Sequence, residues 1–214
     1  MCEGFTSQCG LLFFFLLNNP HPKNFLMKRI AIFASGSGSN AENIITYFQK
    51  NKKAEVVLVL SNSPKALVLE RAKKLGVQNL VFTKQQLNDS NWAIENLAKL
   101  DLIVLAGFLW KFPQHILENY KNKVVNVHPA LLPKYGGKGM YGMHVHQAVV
   151  KNKETESGIT IHYVNEHYDE GAIIFQAKCT ITVKDTPSDV AAKIHQLEMR
   201  YFPEVVQQIL SKNG

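Results

Sequence analysis

Between Ile30 and Val127 the chain alternates five short runs of branched aliphatic residues with four amphipathic stretches. That alternation narrows the folds open to it more than any other feature. Ile30 to Ala34, Val56 to Leu60, Leu80 to Phe82, Leu102 to Ala106 and Val124 to Val127 have the almost unbroken apolar character of strands buried on both faces. Ala41 to Lys50, Ala66 to Leu75, Ser90 to Leu100 and Pro113 to Asn119 read as the helices between them. Strands separated by helices make βαβ units, hence an α/β, three-layer, Rossmann-like architecture with a mainly parallel sheet. Ile159 to Val164 and Ile173 to Val183 are later strands joined by Asn165 to Gly171 without a helix, so an antiparallel strand enters toward the C-terminal part. Thr186-Pro187-Ser188-Asp189 starts a last helix with proline at its first position. Val190, Ile194, Leu197 and Tyr201 share one face of it, and Pro203 is expected to kink or end it.

A chain of 214 residues can build one sizeable core, and no repeat or low-complexity linker divides it. A single domain is expected over 27–214. Residues 1–26 differ from the rest: Leu11 to Leu17 is apolar but too short to span a bilayer, and the first ten residues carry an acid where a secretory signal carries positive charge. The expectation is an N-terminal extension, unstructured or not normally translated, on a chain whose functional start is Met27. Two of the three cysteines, Cys2 and Cys9, fall in that piece, leaving Cys179 without an internal disulfide partner, in agreement with a reducing cytoplasm. The net charge of +7 favours anionic small molecules and equally describes an ordinary basic surface. No block of like charge or aromatic-basic stripe points to nucleic acid, and no segment points to a membrane.

The stretch Val124 to Tyr135 ends the fifth strand in chemistry. Asn126 and His128 are two apart, so their side chains leave one face of the strand, at the carboxyl end where open parallel sheets bind ligands. An amide can donate to a developing oxyanion, and an imidazole can exchange a proton near neutral pH, which suits acyl-type transfer. A strand-end Asn and His can also simply cap backbone groups. Gly36-Ser37-Gly38-Ser39-Asn40-Ala41, following the first strand, has glycines that let backbone approach an anion and opens onto a helix N-terminus. A dinucleotide site would also need an acid roughly 20 residues on, at the end of the second strand. Leu60-Ser61-Asn62-Ser63 stands there instead, so the loop reads as a cradle for a monophosphate, or as a turn with no ligand.

Asn126-Val127-His128-Pro129-Ala130-Leu131-Leu132-Pro133 resembles the N-x-H-P-S/A-L-L-P signature of the folate-dependent formyltransferases. Asp169-Glu170-Gly171 with Ile173-Ile174-Phe175-Gln176 resembles their D-x-G-x-I-[IL]-x-Q segment, and Ser35 to Asn40 follows the first strand as in the glycinamide ribonucleotide formyltransferases. The similarity runs from Met27 to about Pro203.

The resemblance implies a formyltransferase fold and direct formyl transfer from 10-formyltetrahydrofolate, as cosubstrate, to the amine of 5-phosphoribosylglycinamide, without a metal. Asn126, His128 and Asp169 would be catalytic, with Asp169 raising the pKa of His128 and holding it protonated. Gly38, Ser39, Asn40 and Glu198 would hold the ribonucleotide's phosphate and ribose. Leu109, Trp110, Lys111, Phe112 and Asn126 would hold the folate, with Trp110 standing where the family often has arginine and Lys84 as the substitute for a second family arginine. Plainer alternatives stand beside these: Asp169 as a turn residue, Phe108, Leu109 and Phe112 as core, His162 as a satisfied core histidine, Glu198 as a helix-surface acid. His144 and His146, without clustered thiols or carboxylates, do not make a metal site. A cytoplasmic monomer or homodimer is expected. The methionyl-tRNA formyltransferases and the deformylases share the catalytic set but carry an additional domain, which is not expected for this chain. A nucleotide-binding module without catalysis is the reading from another class.

Overall fold

The computed structural model describes residues 27–212, so the expectations for residues 1–26 lie outside the described residues. In chain order the elements are β1 (Lys28–Phe33), α1 (Ser39–Asn51), β2 (Ala54–Ser61), α2 (Leu67–Lys74), β3 (Gln78–Val81), α3 (Lys84–Leu87), α4 (Ser90–Leu97), β4 (Leu102–Leu105), α5 (Gln114–Asn119) and β5 (Val124–His128). They continue with α6 (Met143–Lys151), β6 (Glu156–Tyr163), β7 (Ile173–Thr180) and α7 (Pro187–Lys212). Among the described residues the strands form one sheet in the order β3-β2-β1-β4-β5-β6-β7. β1 to β5 are mutually parallel, whereas β6 pairs antiparallel with both β5 and β7, so β6 alone runs against the rest.

Alternation along the strands sorts the core into two layers. Ile30 and Ile32 of β1, Val104 of β4 and Val125 and Val127 of β5 pack with α1, α2, α6 and α7. Ala31, Phe33, Ile103, Leu105 and Val124 pack on the other side with α3, α4 and α5. A shift in the β1–β2 register skips Val57, which lets Val56 face the first layer while Leu58 and Leu60 face the second. Because β1 sends its chain to β2 on one side and its other neighbour is β4, the sheet reverses its winding between β1 and β4. Loops leaving the carboxyl ends of those strands diverge there and open a crevice.

Some elements depart from expectation. The helix begun at Pro187 runs on nine residues beyond Pro203. Proline removes the N–H that would bond the carbonyl of Met199, but Asn43 of α1 supplies a replacement, its Nδ2 donating to that oxygen at 2.7 Å. Phe202, Pro203, Val205 and Val206 are all buried, so packing holds the helix where its own ladder is broken. Asn43→Ala should therefore cost about 1–3 kcal/mol, the penalty for an orphaned carbonyl, and should cost less in a Pro203→Ala background, where the N–H is restored. Urea unfolding of the four proteins measures the coupling; equal costs in the two backgrounds would break this account. α3 and α6 were not expected. Thr83 and Gln86 form a capping box whose spacing marks the start of α3, and Val145 and Val149 give α6 a buried face. β7 stops at Thr180, because the chain turns where Thr182 N–H donates to Asp185.

Candidate active site

The crevice is a cleft of about 580 Å³ bounded by the loops after β1 and β4, the end of β5 and one face of α7. Backbone and side-chain bonds tie the first two loops together. Ser35 N–H donates to Gly107 O at 3.0 Å, and Leu109 N–H donates to Ser35 Oγ at 3.0 Å.

At one end lies the N-terminus of α1, where among the described residues no side chain caps the helix. Its free N–H groups and the helix dipole make this end attractive to an anion. Gly38 is the N-cap with φ 76°, and a Cβ there would come within 2.5 Å of Val68. The glycine is thus required by backbone conformation and by the approach of α2, and Gly38, Ser39 and Asn40 all line this end of the cleft. Asn40 Nδ2 donates to Glu198 Oε2 at 2.9 Å. Glu198 is a cleft residue of α7, its side chain 14% exposed, so the helix-surface alternative does not hold. Burial pushes its carboxyl above the usual range against the opposing pull of Asn40 and His195. His195 was missed by the sequence analysis; it lines the cleft with its Nδ1 3.7 Å from Glu198.

At the centre stand Asn126, His128 and Asp169. Strand β5 delivers the first two, as expected. Pro129 ends the strand, and the following turn is pinned by Thr160 of β6, whose hydroxyl donates to Ala130 O at 2.7 Å while Leu132 N–H and Gln176 Nε2 donate to it. The antiparallel register sets His162 opposite Asn126, and Asn126 Nδ2 donates to His162 Nε2 at 3.1 Å. That polarity agrees with His162 Nδ1–H donating to its neighbour's carbonyl, Tyr163 O, at 2.8 Å. His162 is therefore part of the polar centre rather than an isolated core histidine. His128 Nε2–H donates to Tyr135 O at 2.7 Å, which leaves Nδ1 facing Asp169 Oδ2 at 3.5 Å. Asp169 is held by the Gly137 N–H at 2.9 Å and adopts φ 59°.

The electrostatics correct one expectation. Burial lowers the pKa of His128, and although Asp169 and the Tyr135 carbonyl both raise it, burial wins. Asp169 pulls upward as expected, but the net displacement is downward, because a ring 3% exposed loses more by desolvation than one carboxylate at 3.5 Å returns. For Asp169 itself burial acts upward, but the His162 contact, the His128 ring and the Gly137 amide outweigh it and hold the carboxyl below its usual range. His146, on α6, also lines the cleft and has a buried Nδ1 with no partner among the described residues.

A second concavity of about 460 Å³ adjoins the first and shares Leu109 and Tyr168 with it. Lys84, Trp110, Lys111 and Phe112 line it. Of the residues expected there, Phe112 contributes mainly as core, 4% exposed with its ring 5.1 Å edge-on to Phe33. Phe108 does both, stacking against Phe33 and Phe82 while facing the main cleft. Among the described residues no group of three or more His, Cys, Asp or Glu is arranged to hold a metal, and no helix is long and apolar enough to cross a membrane.

A family model described as Formyl transferase matches residues 28–206. A curated relative from Arabidopsis thaliana, a chloroplastic phosphoribosylglycinamide formyltransferase, is 36% identical over 85% of this chain, which spans 65% of that protein's length. The phosphoribosylglycinamide formyltransferase of Bacillus subtilis is 36% identical over 88% of this chain and 97% of its own. The crystal structure of phosphoribosylglycinamide formyltransferase from Bacillus halodurans superposes with a TM-score of 0.76 at 34% identity, covering 87% of this chain and 97% of the other.

Proposed function

The chain belongs to the formyl transferase family, and from that premise we propose that it moves the formyl group of 10-formyltetrahydrofolate to the amine of 5-phosphoribosylglycinamide, giving formylglycinamide ribonucleotide in de novo purine synthesis. One observation carries the reading: an anion-attracting helix end and a polar centre line one cleft, and a concavity lined by aromatic and lysine side chains adjoins it. A phosphate with its ribose, a reacting amine and formyl carbon, and a flat heterocycle with its acidic tail need those surroundings, respectively.

Ser39, Asn40 and the N-terminus of α1 would receive the phosphate, and Glu198 would accept from the ribose hydroxyls. The folate ring and tail would lie across Leu109, Trp110 and Lys111, with Lys84 offering a cation to a carboxylate. Folate brings the formyl carbon and a leaving nitrogen; the chain's own groups do the rest. The Asn126 amide has two N–H donors, one given to His162 and one free to meet the oxyanion that develops as the amine attacks. Neutral His128 takes the proton the amine sheds and returns it to the leaving nitrogen, and while the ring is charged the Asp169 carboxylate stabilises it. The new C–N bond forms as the amine adds to the formyl carbon, the old one breaks when the tetrahedral oxyanion collapses and expels tetrahydrofolate, one proton crosses, and no covalent enzyme intermediate arises. The reading places the reaction in the cytoplasm on a monomer or homodimer.

The test is formyl transfer by the purified chain to glycinamide ribonucleotide, followed by the appearance of tetrahydrofolate. Release of formate without formylated product would overturn the acceptor. Glu198→Ala is expected to raise KM for the ribonucleotide by about 10-fold, the loss of one charged hydrogen bond of roughly 1.4 kcal/mol, with KM for the folate nearly unchanged. Equal effects on both substrates would make Glu198 general scaffold.

A further inference from the structure

His128 and Asp169 arrive from different parts of the chain, yet one short backbone corner touches both. Tyr135 O accepts from His128 Nε2–H at 2.7 Å, and two residues later Gly137 N–H donates to Asp169 Oδ2 at 2.9 Å. The corner is conformationally demanding: Tyr135 sits at φ 59°, a region bulky side chains rarely adopt, and a Cβ on Gly136 would meet Leu132 at 2.6 Å and Asp169 Cβ at 3.3 Å. Such a conformation persists only where surroundings over-determine it. The surroundings here lie outside the cleft. The Tyr135 hydroxyl donates to Glu154 Oε1 at 2.8 Å and accepts from Asn152 Nδ2 at 2.9 Å, both residues belonging to the segment that closes α6. Lys134 also reaches Glu154 at 3.0 Å, but its side chain is 68% exposed and the ion pair adds little.

We propose that Tyr135, anchored through its hydroxyl on Glu154, is a positioning residue that aims its carbonyl at His128 and thereby sets which ring nitrogen carries the proton. With Nε2 committed to Tyr135, Nδ1 is the nitrogen that exchanges a proton beside Asp169. Loosening the anchor lets the carbonyl swing away, frees the ring to adopt the other tautomer and removes a bond that favours the imidazolium. The catalytic consequence rests on His128 acting in formyl transfer; the tautomer does not.

The experiment is ¹⁵N NMR of the imidazole nitrogens in the full chain, with steady-state kinetics on the same samples. In the wild type His128 shows the Nε2–H form. Tyr135→Phe and Glu154→Ala are expected to give a mixture of tautomers, a lower His128 pKa, and a kcat reduced on the order of 10-fold with KM for both substrates within about twofold. Glu154→Gln, which keeps an acceptor for the hydroxyl, is expected to retain the wild-type tautomer and most of the activity. An unchanged tautomer and titration in Tyr135→Phe and Glu154→Ala would overturn the proposal, as would a Gln variant no better than Ala. If Tyr135→Phe fails to fold, the two Glu154 variants decide. Full turnover by His128→Ala would instead remove the assigned chemistry and leave the tautomer result standing, so the two failures are distinct.

Discussion

His128→Ala is expected to lower kcat on the order of 10²-fold or more, with KM for the ribonucleotide and the folate nearly unmoved. The ring lies at the end of β5 and lines the cleft with Nδ1 beside Asp169, so its removal takes away proton exchange without dismantling the helix end or the aromatic concavity. Asn126→Ala is expected to fall on the same scale, the usual consequence of removing one oxyanion donor. It should also remove the Asn126 amide from beside His162 Nε2, so a modest loss of stability accompanies the loss of rate. Rates within about threefold of wild type for both variants, in protein whose folding is intact by circular dichroism, would remove these residues from the chemistry.

Asp169→Asn is expected to do comparable damage by another route, and the sign of a pKa change identifies it. The carboxylate raises the pKa of His128, partly offsetting burial. Its neutralisation should therefore lower that pKa further, and the acid limb of the pH–rate profile, where neutral His128 is lost, should move to lower pH while the plateau falls. The plateau falls because the imidazolium formed during reaction has lost the charge that stabilises it. Asparagine is the variant of choice because Asp169 lies at φ 59°, which Asn tolerates, and its side-chain oxygen can still accept from Gly137 N–H. An NMR titration in which the His128 pKa stays fixed or rises would falsify the coupling even if activity disappeared.

Much of the architecture was legible because it is written in local periodicity. Apolar runs at strand length and amphipathic stretches between them dictate βαβ units, and those units dictate a parallel sheet with helices on both faces. The spacing of Asn126 and His128 placed two polar groups on one face of a strand end, and Pro187 marked the start of α7. The extent of α7 was not local information: Pro203 should have ended it, and only the arrival of Asn43 from α1 lets it continue. α6 is short, and its apolar face is recognisable only once the sheet it covers exists.

The site divides the same way. Sequence by itself determined which chemical groups the chain possesses, a strand-end amide and imidazole, a glycine loop that opens onto a helix start, and an acid before Gly171, because these depend on residue type and short spacing. Tertiary structure decided what those groups are able to do. The β5–β6 register set His162 against Asn126, the fold of α7 over α1 turned Glu198 inward to Asn40, and the corner at Tyr135 chose the tautomer of His128. Burial outweighed the upward pull of Asp169 on the His128 pKa, because desolvation depends on everything that surrounds the ring and no short motif carries that quantity.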